Sequence, residues 1–200
     1  MKIILGSSSP RRKEICQHFL NKFEVLAPDI EESSYPTESP LQFTKRISKE
    51  KAKLIAKLFS NSASTLIISC DTIVNLNNQI IGKPLDFQDA INKITLLNGK
   101  QHEVITSITL LIIDNGQCIN ITDSEITQVK FKNLNQYEIV DYITKINYLD
   151  KAGAYAIQEH RNLLVASING STTNVIGFPL RLFFKMLTKL NLLEKILLYN

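Results

Sequence analysis

Three sets of residues have the types to act on a phosphoanhydride. Arg11, Arg12 and Lys13 crowd one short stretch, Lys51 and Lys83 add cations further on, and Glu32 and Asp71 are carboxylates. Hydrolysis of such a bond needs this mix. Cations neutralise the non-bridging oxygens, a divalent metal clamps the phosphates, and a carboxylate orients or deprotonates water. Spacing alone does not bring these residues together, and all but Asp71 read singly as structural or solvated. Asp71 is different because it lies between two apolar, β-branched runs. An ionised carboxylate buried there without a partner is costly, so it requires a cation, donors or a metal.

The basic stretch has its own logic. Ile3 to Leu5 reads as a buried strand, which stops at Gly6 and three serines; Ser9 and Pro10 then form an N-cap and a first helical residue. Strand, small-residue turn and helix start is the layout of a phosphate cradle, since free N–H groups point out of the first turn. Cations at a helix N-terminus forfeit roughly 0.3–1 kcal/mol of dipole interaction, a penalty that a bound polyanion would reverse. Two readings therefore stand for Ser7 to Lys13: an anion site, or a solvated basic helix end.

Other chemistries find less support. No HExxH, GxSxG or GxxxxGK[ST] occurs, and His18, His102 and His160 have no ligand spacing. Cys70 beside Asp71 reads as a small buried residue rather than a nucleophile. Three cysteines, odd in number and far apart, suit a reduced cytoplasmic setting. A net charge of +4 suits an anionic small molecule and is too weak for a nucleic-acid partner. No apolar run approaches a membrane span.

The elements that must position these residues alternate along 200 residues without repeat or linker. A helix from Pro10 should bury Ile15, Phe19 and Leu20, with a strand at 23–27. Ser39-Pro40-Leu41-Gln42 is a capping box opening a helix to about Phe59. Its expected buried stripe is Ile47, Leu54, Ile55 and Leu58, and most of Lys45, Arg46, Lys49, Glu50, Lys51 and Lys53 read as solvated. A strand at 65–74 carries Asp71; Asn77-Asn78 turns a hairpin; Asp86 caps a helix that ends at Asn98-Gly99. His102 to Asp114 and Gln117 to Lys132 form a long hairpin about Asn115-Gly116. Asn135 caps the next helix, 163–168 reads as a strand, and an apolar helix holds Leu180, Phe183, Phe184, Leu187 and Leu190. Mixed helices and long antiparallel pairs predict an α/β fold with a mixed sheet.

Five ordered stretches resemble the Maf family: Ser-Ser-Ser-Pro-Arg-Arg at 7–12, Cys-Asp-Thr-Ile-Val at 70–74, Gly-Lys-Pro at 82–84, Asp-Lys-Ala-Gly-Ala-Tyr-Ala-Ile-Gln at 150–158, and Asn-Gly-Ser with Asn-Val-Ile-Gly-Phe-Pro at 169–179. Glu31-Glu32 and Glu50-Lys51-Ala52 also match in order. The resemblance implies a single Maf-like domain over residues 1–200. Its fold would be inosine-triphosphatase-like (Maf/Ham1-type): an elongated mixed β-sheet flanked by helices, in two lobes with a central cleft. It implies cleavage of a nucleoside triphosphate to monophosphate and pyrophosphate, with Mg²⁺ or Mn²⁺. Asp71 falls on the proton acceptor. Ser7, Arg12, Lys51 and Lys83 fall on the phosphate side, and Glu32 with Asp71 on the metal. Arg11, Thr72 and Gln158 resemble the dTTP/UTP branch rather than the 7-methyl-GTP branch, and a glutamine amide can both donate to and accept from a uracil edge.

The same resemblance suggests a homodimer and leaves a nucleotide-sensing regulator of division, or a 7-methyl-GTP-type pyrophosphatase, as the alternatives. Gly6 stands where the family prefers Ala, Ser8 where it prefers Gly, and Cys70 where Ala is common. Glu159 and Arg161 replace glycines, and Glu159 adds negative charge near the expected base pocket.

Overall fold

The computed structural model describes residues 1–59 and 64–197. Its strands are β1 (Lys2–Gly6), β2 (Glu24–Val25), β3 (Thr65–Leu76), β4 (Gln79–Ile81), β5 (Gln101–Asp114), β6 (Gln117–Phe131) and β7 (Val165–Asn169). Its helices are α1 (Pro10–Gln17), α2 (Pro40–Ala56), α3 (Phe87–Leu97), α4 (Gln136–Thr144), α5 (Arg161–Leu164), α6 (Thr172–Ile176), α7 (Leu180–Lys189) and α8 (Leu193–Leu197). The sheet runs β2-β1-β3-β5-β6-β7, with β4 paired to β3. β1 is parallel to both β2 and β3, whereas β3–β4 and β6–β7 are antiparallel. The sheet is mixed, as the pattern of elements predicts.

Two compact units divide the chain. The first holds Met1–Asp71, Thr106–Glu125 and Gly177–Asn200; the second holds Thr72–Ile105 and Ile126–Ile176. Each has its own core. In the first, Ile3, Leu5, Leu66, Ile68, Phe178 and Phe183 pack on one face of the strands, and Ile4, Ile67 and Leu111 meet Ala52 and Ile55 of α2 on the other. Strand residues alternate between faces, so β1 and β3 supply both sets from consecutive positions. Gly6 closes β1 beneath α2: a Cβ placed there would lie 2.6 Å from Ile55 Cδ1. In the second unit, Ile91, Ile94 and Leu97 of α3 and Ile139, Tyr142 and Ile143 of α4 cover Val104, Val129 and Phe131.

Turn chemistry behaves as its residues dictate. Asn77 and Asn78 take φ of 51° and 66°, and Asn115 and Gly116 take 48° and 78°, the positive values that a two-residue hairpin needs. Ser39 and Asn135 form full capping boxes, and Asp86 caps α3 through the Asp89 amide.

Four boundaries differ from expectation. α1 ends at Gln17, so Cys16 and Leu20 are buried while Ile15 and Phe19 are only half-buried. β2 is two residues long: Glu24 and Val25 pair in register with Ile4 and Leu5 of β1, and Leu26 N adds one further bond to the Leu5 carbonyl. α2 gives way to a 3₁₀ turn at Lys57–Phe59, which leaves Leu58 71% exposed and Leu54 half-buried. Leu163 and Leu164 belong to α5, since left-handed His160 (φ 50°) turns the chain and accepts from Leu163 N; the strand begins at Val165.

Candidate active site

The first unit holds Ser7, Arg12, Glu32, Lys51 and Asp71. Ser9 caps α1 by accepting from Arg12 N, and its own amide donates to Ser7 Oγ at 3.2 Å. The Arg12 guanidinium then turns inward. Nη1 donates to Ser7 Oγ (3.1 Å) and to the Cys70 carbonyl (3.0 Å), and Nε donates to the Gly177 carbonyl (2.8 Å). Arg12 thus joins the end of β1, the residue before Asp71 and the turn before α7. The side chain is anchored through both Nε and Nη1, which a frayed helix end would not be.

Lys51 and Asp71 form the centre. Lys51 Nζ donates to Asp71 Oδ1 at 2.8 Å and pairs with Glu32 Oε1 at 2.6 Å. Both central side chains are buried, whereas Glu32 is partly exposed. The other Asp71 oxygen, Oδ2, is buried with no hydrogen-bond partner. Burial raises the Asp71 pKa above the ordinary carboxylate range, and the Lys51 ammonium opposes that rise. A carboxylate perturbed by burial and by a specific charge partner is a candidate functional group. Cys70 is buried and its thiol is pushed up to about 11, which leaves it unreactive at neutral pH.

The reach of Lys51 depends on the inner face of α2, where Thr44, Ser48 and Lys51 recur at helical spacing. Two hydroxyl chains hold that face to β5 and β6. Ser107 Oγ donates to Thr44 Oγ1 (2.8 Å) and lies 2.7 Å from Ser124 Oγ. Ser48 Oγ is 3.0 Å from Thr109 Oγ1, which is 2.8 Å from Thr122 Oγ1. Ser69, on the same face of β3 as Asp71, donates to the Ser48 carbonyl at 2.6 Å. Sequence reasoning passed over these hydroxyls; serine and threonine at alternate positions of an otherwise apolar strand were the available signal.

Lys83, Thr72 and Gln158 belong to the second unit. Lys83 is exposed just beyond β4, Thr72 is half-buried, and Gln158 is exposed in the segment 150–160. Gly153 N donates to the Gly82 carbonyl at 3.1 Å, which stitches the segments bearing Gln158 and Lys83. Gly153 has φ of 69°, and a Cβ there would lie 2.9 Å from Val74 Cγ2. Tyr142 OH both donates to the Ala156 carbonyl and accepts from its amide, each at 3.2 Å. Lys151, buried, pairs with Asp150 at 2.9 Å, lies 3.5 Å from Glu159 and donates to the Asn147 carbonyl. Glu159 therefore faces a cation of its own loop. Arg11 is half-buried in the first turn of α1.

Among the described residues no group of three or more His, Cys, Asp or Glu is placed to hold a metal. A hard divalent cation does not need one, because Mg²⁺ takes one or two carboxylates and keeps substrate and water oxygens. The Glu32 and Asp71 carboxylates, with Asp71 Oδ2 left unpartnered, fit that requirement.

The chain belongs to the Maf-like protein family, which it matches over residues 2–190. It is 40% identical over 196 residues to a dTTP/UTP pyrophosphatase of Ruminiclostridium cellulolyticum, covering 98% of each chain. It is 37% identical over 189 residues to the dTTP/UTP pyrophosphatase of Clostridioides difficile, covering 94% of this chain and 95% of that one. A Clostridium botulinum protein of the same name is 36% identical over 189 residues, with 94% and 96% covered. Among solved structures it is similar to the Staphylococcus aureus Ham1 protein at 13% identity and a TM-score of 0.49, over 93% of this chain and 99% of that one. At that overlap the mixed sheet rests on the chain's own geometry. No helix among the described residues is long and apolar enough to cross a membrane.

Proposed function

We propose that this protein is a nucleoside triphosphate pyrophosphatase that converts dTTP and UTP to monophosphate and pyrophosphate, a single Maf-like domain working as a cytoplasmic house-cleaning enzyme. The names of its relatives support the reaction class. The observation that carries the mechanism is the buried Lys51–Asp71 pair with Asp71 Oδ2 unpartnered.

In this reading Asp71 accepts the proton of a water whose oxygen bonds to the α-phosphorus, while the bond from that phosphorus to the α–β bridging oxygen breaks and pyrophosphate departs. A raised pKa suits the task, since a base works best with its pKa near the working pH. Lys51 holds Oδ1 and fixes the carboxylate, leaving Oδ2 for chemistry. Ser7, Arg12, Lys51 and Lys83 supply donors and positive charge on the phosphate side. Glu32 and Asp71 would hold a divalent cation, Mg²⁺ or Mn²⁺, which neutralises charge on the triphosphate and clamps it. Arg11, Thr72 and Gln158 select the base. The partner is a nucleotide and not a nucleic acid, and we expect a homodimer.

The test is Asp71→Asn with a panel of dTTP, UTP, CTP, 5-methyl-UTP and 7-methyl-GTP, each with and without metal. Turnover of dTTP and UTP should fall about 100- to 10,000-fold in the variant, the usual worth of a positioned base, with nucleotide binding largely kept. Unchanged turnover would remove Asp71 from the mechanism. Tight binding by the unmutated protein without pyrophosphate release, whatever the metal, would make it a sensor instead.

A further inference from the structure

We propose that Arg46 is a positioning residue that clamps loop 26–39 onto α2 and so holds Glu32 against Lys51. The inference rests on the reading of Glu32 given above.

Residues 26–39 contain neither helix nor strand, so the backbone ladder does not place Glu32. Arg46, one turn before Glu50 on α2, reaches into that loop with most of its guanidinium. Nε donates to Glu38 Oε1 and Nη2 to Glu38 Oε2, both at 2.7 Å, a bidentate pair. Nη2 also donates to the Ser33 carbonyl at 2.8 Å, one residue from Glu32. Nη1 donates to the Glu50 carboxylate at 3.2 Å, which anchors the guanidinium to its own helix. The faces of the fork are occupied as well: Tyr35, from the loop, lies 4.1 Å from the guanidinium carbon and Phe43, from α2, lies 5.5 Å away. Glu38 is tied back into the turn, its carboxylate accepting from Tyr35 N and its amide donating to the Tyr35 carbonyl.

One side chain therefore fastens the loop at 33, 35 and 38, while Glu32 meets Lys51, five residues further along α2 and about 140° around it. An ammonium cannot reproduce this. A lysine is a single point of charge, and it lacks the planar fork that grips a carboxylate in two places and lies between rings. A merely solvated arginine would have no reason to combine a bidentate pair, a carbonyl and two aromatic contacts.

The experiment is a double-mutant cycle of Arg46→Lys with Glu32→Gln, with Glu38→Gln as an independent way to open the clamp. In the wild-type background Arg46→Lys and Glu38→Gln should each lower kcat/KM about tenfold, the lower end for residues that orient a ligand through another. Hydrogen exchange at amides 32–38 of the nucleotide-free protein should speed up by a similar factor. In the Glu32→Gln background Arg46→Lys should cost nothing further in kcat/KM. An equal loss in both backgrounds, or unchanged exchange in the loop, overturns the clamp. A Glu32→Gln enzyme with full activity overturns it too, and in that case the proposed role of Glu32 falls first. An impaired Glu32→Gln beside an unimpaired Arg46→Lys sinks only the clamp.

Discussion

Each unit buries a lysine among carboxylates, yet the two settings differ in kind. Lys151 takes its partners from its own neighbourhood: Asp150 beside it, the Asn147 carbonyl one turn back and Glu159 in the same loop. Both carboxylates are partly open to solvent. Lys51 takes Glu32 from an irregular loop and Asp71 from the middle of a strand, and one Asp71 oxygen stays buried and unpartnered. Local, hydrated pairs tie down a segment. A cluster assembled from distant elements around an unsatisfied oxygen is prepared for a ligand, because that oxygen gains most when a partner arrives.

The sharpest way to break the comparison is to remove each cation. Lys51→Met leaves Asp71 buried beside Glu32 with no cation between them, a change on the order of 3–5 kcal/mol for a buried pair. Chemical denaturation should register that loss, and turnover should fall by at least about a hundredfold. Should Lys51→Met prove as mild as a surface change, the two lysines are alike after all.

Acid titration of activity comes next. Burial raises the Asp71 pKa, so kcat/KM should decline, about tenfold per pH unit, below a point displaced upward from the usual carboxylate value near 4. Residual activity in Asp71→Asn should show no such limb.

The second unit has its own buried titratable group. His102 Nε2 lies 2.9 Å from Tyr155 OH, while Nδ1 is buried without a hydrogen-bond partner and the ring packs T-shaped against Phe131 and Tyr155. Burial lowers its pKa to about 4 from the usual 6.5. The folded value is depressed, so His102 lends its full stability above pH 6.5 and loses it as pH falls toward 4, at most about 3 kcal/mol. Melting followed across that window should show the decline in the parent and a flatter profile in His102→Gln. The smallest effect belongs to Lys151→Met. Its carboxylates can rehydrate, so a cost of about 1–2 kcal/mol is expected, with kcat held within about twofold. A collapse of kcat would give Lys151 a chemical part.

Much of this was legible in the chain because it depends on local rules. Capping residues, asparagine turns and the Asp71 anomaly each carry their physics in a few adjacent positions. What stayed hidden depended on distance. Arg46 read as a solvated helix cation, since nothing in its own helix shows that Glu38 and Ser33 return to it from the loop. Arg12 read equally as a loose end or an anion contact, and only the fold reveals that Cys70 and Gly177 carbonyls meet it. Leu58 read as core because a helical period was carried one turn past the point where α2 tightens into a 3₁₀ turn. Glu159 read as unwelcome charge, and Lys151 answers it.

The bare α-carbon at the end of β1 reaches further than its own turn. The family resemblance places alanine where this chain has Gly6, and the added methyl would fall 2.6 Å from Ile55 Cδ1. Cδ1 is the one carbon that valine lacks. Positions 6 and 55 therefore share a fixed allotment of space: a carbon gained in the turn is tolerated when Ile55→Val gives one up on the helix. Either exchange alone forces a shift or opens a void. Both together would leave the floor beneath the helix that bears Lys51 level.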